Sequence, residues 1–323
     1  MKKVFLQNNK GFHWHHDKHV SVKGVLFGPD NKLYRDEGLL EYFNSIQSLS
    51  DLEERVSYAN GLFSIIVQYE ENIYAAVDPY RSFPLYYSNY EEEWLIADSP
   101  WVLSEKTNNR RLQSLSETEF LATGYVTNDK TLVKDIYQIQ SGECIQLKKD
   151  TRKRKFYFSY RVNTPYDDEY ELLKSKAYEL IVNAFSRFVA SLNERKVVLP
   201  LSGGFDSRLI ACMLKYYEYE NVLCFTYGRK GNKEIEYSKN VAERLGFEWR
   251  FIEYNDELIR NFVNDNDFKE YARYAGGLTS MFYMQEYFAV KYLKEKQVIP
   301  DDSIFTPGIF GDFLGGGLLY RTG

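Results

Sequence analysis

Cysteine is scarce in this sequence. Its three thiols, Cys144, Cys212 and Cys224, are widely and irregularly spaced. Three cannot pair fully as disulfides, and none shows the close CxxC spacing of a zinc site. Such usage suits a reducing compartment. No stretch approaches the ~18 consecutive apolar residues of a membrane span, and the first residues, Met1-Lys2-Lys3-Val4-Phe5-Leu6-Gln7-Asn8, turn polar too soon for a secretory signal. The expectation is a cytoplasmic protein with no membrane partner. A strong charge of one sign is missing too: 41 Lys and Arg stand against 46 Asp and Glu, a formal −5 spread along the chain. Without a broad basic field to hold a polyanion, nucleic acid is a poor partner. Neither an internal repeat nor a low-complexity segment is present.

What is there in abundance is aromatic: 28 Tyr and 22 Phe, which favour strands and amphipathic surfaces. The 323 residues, at roughly 100–200 per domain, argue for two modules. Up to about residue 150 the chain reads as short strands between turn residues, at 20–27, 62–69, 73–77, 85–88, 94–98 and 144–147, with helical spacing at 37–46 and 117–123. This half is α+β with layered sheets. A basic stretch, 148–155, then leads into Phe156-Tyr157-Phe158. It is read as a solvated loop or hairpin tip, with the domain boundary at about 160. Beyond it helix and strand alternate: helix 168–192, strand 196–201, helix 207–217, strand 222–227, helix 233–245, strand 249–252. That rhythm predicts an α/β module, a mostly parallel sheet with helices on both faces and ligands at the carboxyl ends of its strands. The domains are thus 1–160 and 161–323.

At one such strand end, Val197-Val198-Leu199-Pro200-Leu201 runs into Ser202-Gly203-Gly204-Phe205-Asp206-Ser207, and a helix follows. Adjacent glycines admit a ligand without Cβ obstruction, the Ser202 and Ser207 hydroxyls can donate, and the first N–H groups of the helix point at an anion. Asp206 is no phosphate donor, but a hard carboxylate suits a Mg²⁺ that bridges phosphate oxygens. The lysine of the GxxxxGK loop is absent. In this setting the hexapeptide resembles the SGGxDS motif of the N-type ATP pyrophosphatases, a group that includes asparagine, NAD, GMP and argininosuccinate synthetases. The resemblance implies cleavage of ATP between its α and β phosphates, transfer of AMP to a substrate oxygen, and pyrophosphate held by the loop.

The first half narrows the resemblance to the asparagine synthetase family. Asn60-Gly61-Leu62-Phe63-Ser64 is similar to its LNGxFAF segment, and Asp78-Pro79-Tyr80-Arg81-Ser82-Phe83-Pro84-Leu85-Tyr86-Tyr87 to its RDxxGxxPLYY segment. Ile96-Ala97-Asp98-Ser99, Ala122-Thr123-Gly124-Tyr125 and residues 136–143 fall in the family's order. In the second half Phe225-Thr226-Tyr227-Gly228 looks like the strand end that borders the adenine. Glu234 with Val241-Ala242-Glu243-Arg244-Leu245-Gly246 looks like the DE…VAxxLG helix, and Gly311-Asp312-Phe313-Leu314-Gly315-Gly316 is similar to GxDELFGGY. The likeness implies an N-terminal domain of the N-terminal-nucleophile-hydrolase type and a C-terminal domain of the adenine nucleotide alpha hydrolase type. By it, ATP and pyrophosphate are held by Leu201, Ser202, Gly203, Gly204, Asp206, Ser207, Arg208, Thr226, Tyr227 and Gly228, and Mg²⁺ by Asp206 and Asp312.

Four departures qualify that expectation. The family's glutaminase uses a Cys exposed by loss of the initiator Met; here Lys2 stands there, and Cys144 belongs to another part of the domain, so no glutamine hydrolysis is expected. Arg208 replaces a common second Ser and either contacts phosphate or faces outward, paired with a carboxylate. Phe313 replaces a Glu. Further, the sequence stops at Gly323, where relatives continue into helices bearing a Glu and a Lys that assist acyl transfer, so the catalytic domain is read as C-terminally truncated, completed by a homodimer or a partner.

The expected function is an AMP-forming amide ligase using ATP and Mg²⁺, with a small-molecule or peptide carboxylate adenylated for attack by an amine or ammonia. The alternative is a non-catalytic ATP-binding or assembly protein. A tRNA-thiolating enzyme would want a basic surface or paired catalytic cysteines, and neither is visible. Two weaker signals remain. All four histidines lie in His13-Trp14-His15-His16-Asp17-Lys18-His19; they could bind Zn²⁺ or Ni²⁺, but a strand or loop surface is the preferred reading. Met281-Phe282-Tyr283-Met284 with Tyr287 and Phe288 is read as a helix core, and Gly276-Gly277 as room for a substrate backbone.

Overall fold

The computed structural model describes residues 3–8, 11–161, 167–309 and 311. The chain divides into two compact units, Met1–Pro165 with Val263–Phe282, and Tyr166–Phe262 with Tyr283–Gly323.

The first unit is built on period-two alternation. A seven-stranded antiparallel sheet runs Thr151–Phe156, Glu143–Lys148, Asn72–Val77, Asn60–Tyr69, Val20–Phe27, His15–His16, with Leu33–Arg35 also paired to Val20–Phe27. Along it Phe63, Ile65, Val67, Tyr74 and Ala76 face one way, onto the helices Gly38–Tyr42 and Leu49–Ser57. Ile66, Ile73, Ala75 and Val77 face the other way, onto Leu85, Tyr87 and Ile96 of the second sheet's side. That second sheet has four strands, in the order Val4–Phe5, Glu93–Ala97, Tyr86–Tyr90, Tyr137–Gln138. Its far face packs Tyr86, Leu95 and Ala97 against Val102 and Leu103 of the helix Pro100–Lys106. Strands with both faces buried read as near-continuous apolar runs, and Asn72–Val77 is buried throughout, its one amide, Asn72, bonded to Gln146.

Three helices of this unit, Leu49–Ser57, Pro100–Lys106 and Asn266–Gly276, were not expected, though each carries a start signal. Leu49–Ser57 opens on a capping box, Ser48 accepting from the Asp51 N–H while Asp51 accepts from the Ser48 N–H, and it buries Leu49, Leu52 and Val56 at helical spacing. Pro100–Lys106 begins with Pro at its first position. The basic stretch is a hairpin arm: Thr151–Phe156 pairs in full register with Glu143–Lys148. There Arg152 and Arg154 reach the buried Asp129 at 3.2 and 2.9 Å, and Arg154 also pairs with Glu143. Of the histidines, His15 and His16 form a short strand and the His16 ring bonds the Ser21 hydroxyl.

Residues 263–282 join the first unit although they lie far along the chain. Backbone bonds tie them there: Val126 N to Thr279 O at 2.7 Å, Leu132 N to Leu278 O at 2.8 Å and Met281 N to Gly124 O at 2.6 Å. Gly277 is needed here for packing, and it also lines a cavity of this unit. It sits at φ +50°, and a Cβ would collide with the Tyr86 hydroxyl.

The second unit carries a four-stranded parallel sheet in the order Glu248–Glu253, Val222–Gly228, Val197–Pro200, Ile304–Phe305. Val197, Leu199, Val222 and Cys224 face Ala211, Leu214 and Ala242 of the helices Phe205–Tyr216 and Lys233–Leu245. Val198, Leu223, Phe225 and Ile252 face Ala289 and Leu293 of the helix Tyr287–Glu295. Helices therefore cover both faces, as alternation predicts. The helix-core reading of residues 281–288 fails in its first half: the helix starts at Tyr287, and Met281, Tyr283 and Met284 are exposed. Four residues between helices cannot supply an apolar stripe, and aromatic spacing alone did not reveal that.

Candidate functional site

The strand Val197–Pro200 ends where its neighbour is still running, and the offset opens a crevice. Leu201 N bonds Phe225 O at 2.8 Å, which prolongs the pairing by one residue, and the buried Thr226 hydroxyl donates to Leu201 O at 2.8 Å. Thr226 is held in turn by Ser238 at 2.5 Å and the Trp249 indole N–H at 3.2 Å. The chain then turns through Ser202-Gly203-Gly204, and the helix begins at Phe205, two residues earlier than the spacing predicts.

Ser202 and Ser207 organise this turn. Their hydroxyls lie 3.2 Å apart, Ser202 N donates to the Ser207 Oγ at 3.2 Å and Gly204 N to the Ser202 Oγ at 3.1 Å. One hydroxyl hydrogen is used between them, which leaves the other to serve a ligand. Gly204 is the N-cap and offers no side-chain acceptor. The N–H groups of the first helical turn, from Phe205 onward, lack intrahelical partners by position. Donors left this way, at the positive end of a helix dipole, form an anion site.

The Arg208 side chain meets a backbone carbonyl rather than the carboxylate expected of an outward-facing arginine, among the described residues. Its guanidinium donates back to Gly203 O at 2.7 Å and lies 5.2 Å from the centre of the Phe205 ring. It thus braces the glycine turn from within the helix, and no carboxylate pairs with it among the described residues. Phe205 itself is 82% exposed.

A cavity of about 390 Å³ opens over the turn. Of the ten residues expected to hold nucleotide, Leu201, Ser202, Gly204, Asp206, Ser207, Thr226 and Tyr227 line it, whereas Gly203, Arg208 and Gly228 do not. Asp206 accepts no hydrogen bond among the described residues, so its oxygens are available to a cation. Asp312, the other expected Mg²⁺ ligand, lies outside the described residues. Pro200 and Phe225 of the flanking strands also line it, and away from the loop and these strands the wall is Glu234, Gln285, Glu286, Gly308 and Ile309. Of the latter only Glu234 was singled out in the sequence. Burial raises the Glu286 carboxyl above the usual carboxylate range. The Tyr227 ring stacks on Tyr254 with centroids 5.0 Å apart, and burial raises both phenols.

Gly308 and Gly311 show how closely the last described segment approaches the loop. A Cβ on Gly308 would lie 2.8 Å from Ser207 N, and one on Gly311 would fall on the Asp206 carboxylate. Glycine at both positions is what lets the chain cross here.

Comparison with known proteins agrees with this picture. Residues 179–295 match the family model described as Asparagine synthase. Over 255 residues the chain is 25% identical to a probable asparagine synthetase (glutamine-hydrolyzing) of Acanthamoeba polyphaga mimivirus, covering 73% of this chain and 45% of that protein. It is 23% identical over 236 residues to asparagine synthetase (glutamine-hydrolyzing) 1 of Bacillus subtilis (strain 168), covering 71% and 35%. A shorter stretch of 91 residues is 35% identical to the NH(3)-dependent NAD(+) synthetase of Archaeoglobus fulgidus, covering 27% and 36%. The chain spans less than half the length of each of these relatives. The matches support the asparagine synthase family, and the three relatives named are synthetases.

Proposed function

We propose that the chain is an ATP-dependent, AMP-forming amide ligase of the asparagine synthetase type, which adenylates a substrate carboxylate for attack by ammonia or an amine. One observation carries the reading: a strand-to-helix turn presents N–H groups without intrahelical partners, a spare hydroxyl hydrogen and a carboxylate, Asp206, unengaged among the described residues, to a single cavity. The triphosphate lies against the helix start, where Ser202 and Ser207 orient it, and the base lies toward Thr226 and Tyr227. Chemistry of this kind is mostly positioning and charge neutralisation.

The residues present fit Mg²⁺, which takes one or two carboxylates together with phosphate oxygens. Asp206 would hold it, joined by Asp312, and the ion would neutralise the phosphate charge as pyrophosphate departs. Glutamine is not the nitrogen source in this reading. Cys144 is the first unit's only cysteine; it is buried among Phe63, Ile65 and Val67 in the sheet core, and burial pushes its thiol up to about 12, far from the activated thiolate a nucleophile requires.

The test is ATP–pyrophosphate exchange with Mg²⁺ across a panel of carboxylates that begins with aspartate. Exchange that requires one carboxylate and is lost in Asp206→Ala is the expected result. ATP binding without exchange for any carboxylate, even with the chain extended to the length of its relatives, would favour a binding protein; absence of ATP binding would overturn the reading.

A further inference from the structure

A second cavity, of about 560 Å³, lies wholly within the first unit, and nothing in the proposed ligase reaction uses it. Its most unusual wall residue is Lys23. The strand Val20–Phe27 sends Val20, Val22 and Leu26 to the helix-covered face, so alternation turns Lys23 to the opposite face, opposite Ser64 in the ladder. There the side chain is 2% exposed, a burial that lysine tolerates only with compensation. Compensation is partial. Nζ donates to Asn8 O at 2.6 Å and lies 5.2 and 5.9 Å from the centres of the Phe83 and Trp14 rings. Two of its three hydrogens have no hydrogen-bond acceptor among the described residues.

Asp98, the carboxylate whose charge acts on Lys23, is already engaged. It accepts from Gln7 N at 3.1 Å, Asn8 N at 2.7 Å and the Trp14 indole N–H at 2.9 Å, and it makes no ion pair with Lys23 within 4 Å. A buried amine, lining a cavity with aromatic walls and lacking a paired carboxylate among the described residues, is in the state that makes lysine a nucleophile toward carbonyl carbon.

We propose that this cavity binds a small aldehyde or ketone and that the Lys23 amine captures it as an imine. The amine lone pair adds to the carbonyl carbon while the π pair moves to oxygen. Both amine hydrogens then pass to that oxygen, which leaves as water as the C=N bond forms. The required neutral amine is accessible: burial lowers Lys23 to about 8, opposed only by the charge of Asp98. The other charged groups facing the cavity are Glu105, Glu270 and Arg273.

Benzaldehyde, which suits the aromatic walls, tests this with cyanoborohydride as trap and peptide mass mapping as readout. At pH 7.5, Lys23 is expected to be alkylated about tenfold or more faster than exposed lysines, because a larger share of it is neutral. Its rate should level off above pH 8 while theirs keep rising, and the preference should vanish in the urea-unfolded chain. A merely structural Lys23 would be protected, and labelling at or below the rate of exposed lysines in the folded protein would overturn the proposal.

Discussion

Two aspartates, one in each unit, show how differently the same side chain can be employed. Asp98 is 8% exposed and its oxygens are filled by two backbone N–H groups and an indole. Asp206 lines an open cavity and accepts nothing among the described residues. The first spends its charge on holding the chain near residues 7–14; the second keeps it for a ligand. A saturated carboxylate is a structural part, and an unsaturated one beside a helix start is a candidate metal ligand. Asp78, in the segment that resembles the family's RDxxGxxPLYY, belongs with Asp98: it is fully buried and accepts from Phe63 N, Tyr80 N, Ser82 N and the Ser82 hydroxyl.

The contrast breaks if the two aspartates respond alike to removal. Asp206→Ala should lower ATP–pyrophosphate exchange by about 10³-fold, the scale of losing a charge-stabilising group, while the urea midpoint stays where it was. Asp98→Ala should cost about 3 kcal/mol of stability by orphaning the buried Trp14 indole N–H and two part-buried backbone donors, Gln7 N and Asn8 N. Exchange assays and urea titrations on both variants decide it, and a destabilised Asp206→Ala would place that residue with Asp98.

Lys23 sharpens the same contrast through pH. Its folded value is about 8 against an ordinary 10.5. Between those values the unfolded chain carries a proton that the folded one lacks, so stability rises with pH across that window; below pH 8 both states are protonated and the burial penalty is constant. Lys23→Met should therefore stabilise the protein at pH 7 by up to about 3 kcal/mol, with the gain shrinking toward pH 10.5. Urea unfolding at several pH values reads this directly, and a gain that does not depend on pH would show that Lys23 is not desolvated.

Gly308→Ala probes the other aspartate's surroundings. Its Cβ would press on Ser207 N, so the expected outcome is about tenfold weaker ATP binding, since misplacing one wall by a few tenths of an ångström disturbs a preorganised site. Isothermal titration of ATP into the variant measures it, and unchanged affinity would mean that the crossing segment moves freely.

Much of this was legible in the sequence because the signals were local. The switch from period-two strands to alternating helix and strand marked where α+β gives way to α/β, and the glycine turn between strand and helix located the cavity. What stayed hidden depends on distant contacts. Lys23 looks like an outward residue of an alternating strand until a second sheet covers that face. Gln285, Glu286 and Gly308 reach the cavity only because the sheet returns there. Arg208 offered two plausible partners, and the backbone carbonyl it uses was neither. The helices Leu49–Ser57 and Pro100–Lys106 are announced only by Ser48 with Asp51 and by the Ser99-Pro100 pair, because their apolar stripes are too short to show a helical period.

The smallest expected effect concerns the carboxylate that joins Asp206 at the cavity without belonging to the loop. Glu286 is half-buried, and desolvation raises its carboxyl. When ionised it opposes the triphosphate; when protonated it does not. Glu286→Gln should therefore bind ATP about two- to fivefold more tightly at pH 8, the scale of one partly screened charge. The wild-type protein should approach the variant's affinity as pH falls through the raised Glu286 value, because protonation and the amide remove the same charge. Titrations with ATP from pH 5.5 to 8.5 distinguish this from a recognition role. Weaker binding in Glu286→Gln at every pH would mean that Glu286 accepts a hydrogen bond from the nucleotide, and the second unit would then hold one carboxylate for the metal and another for the base.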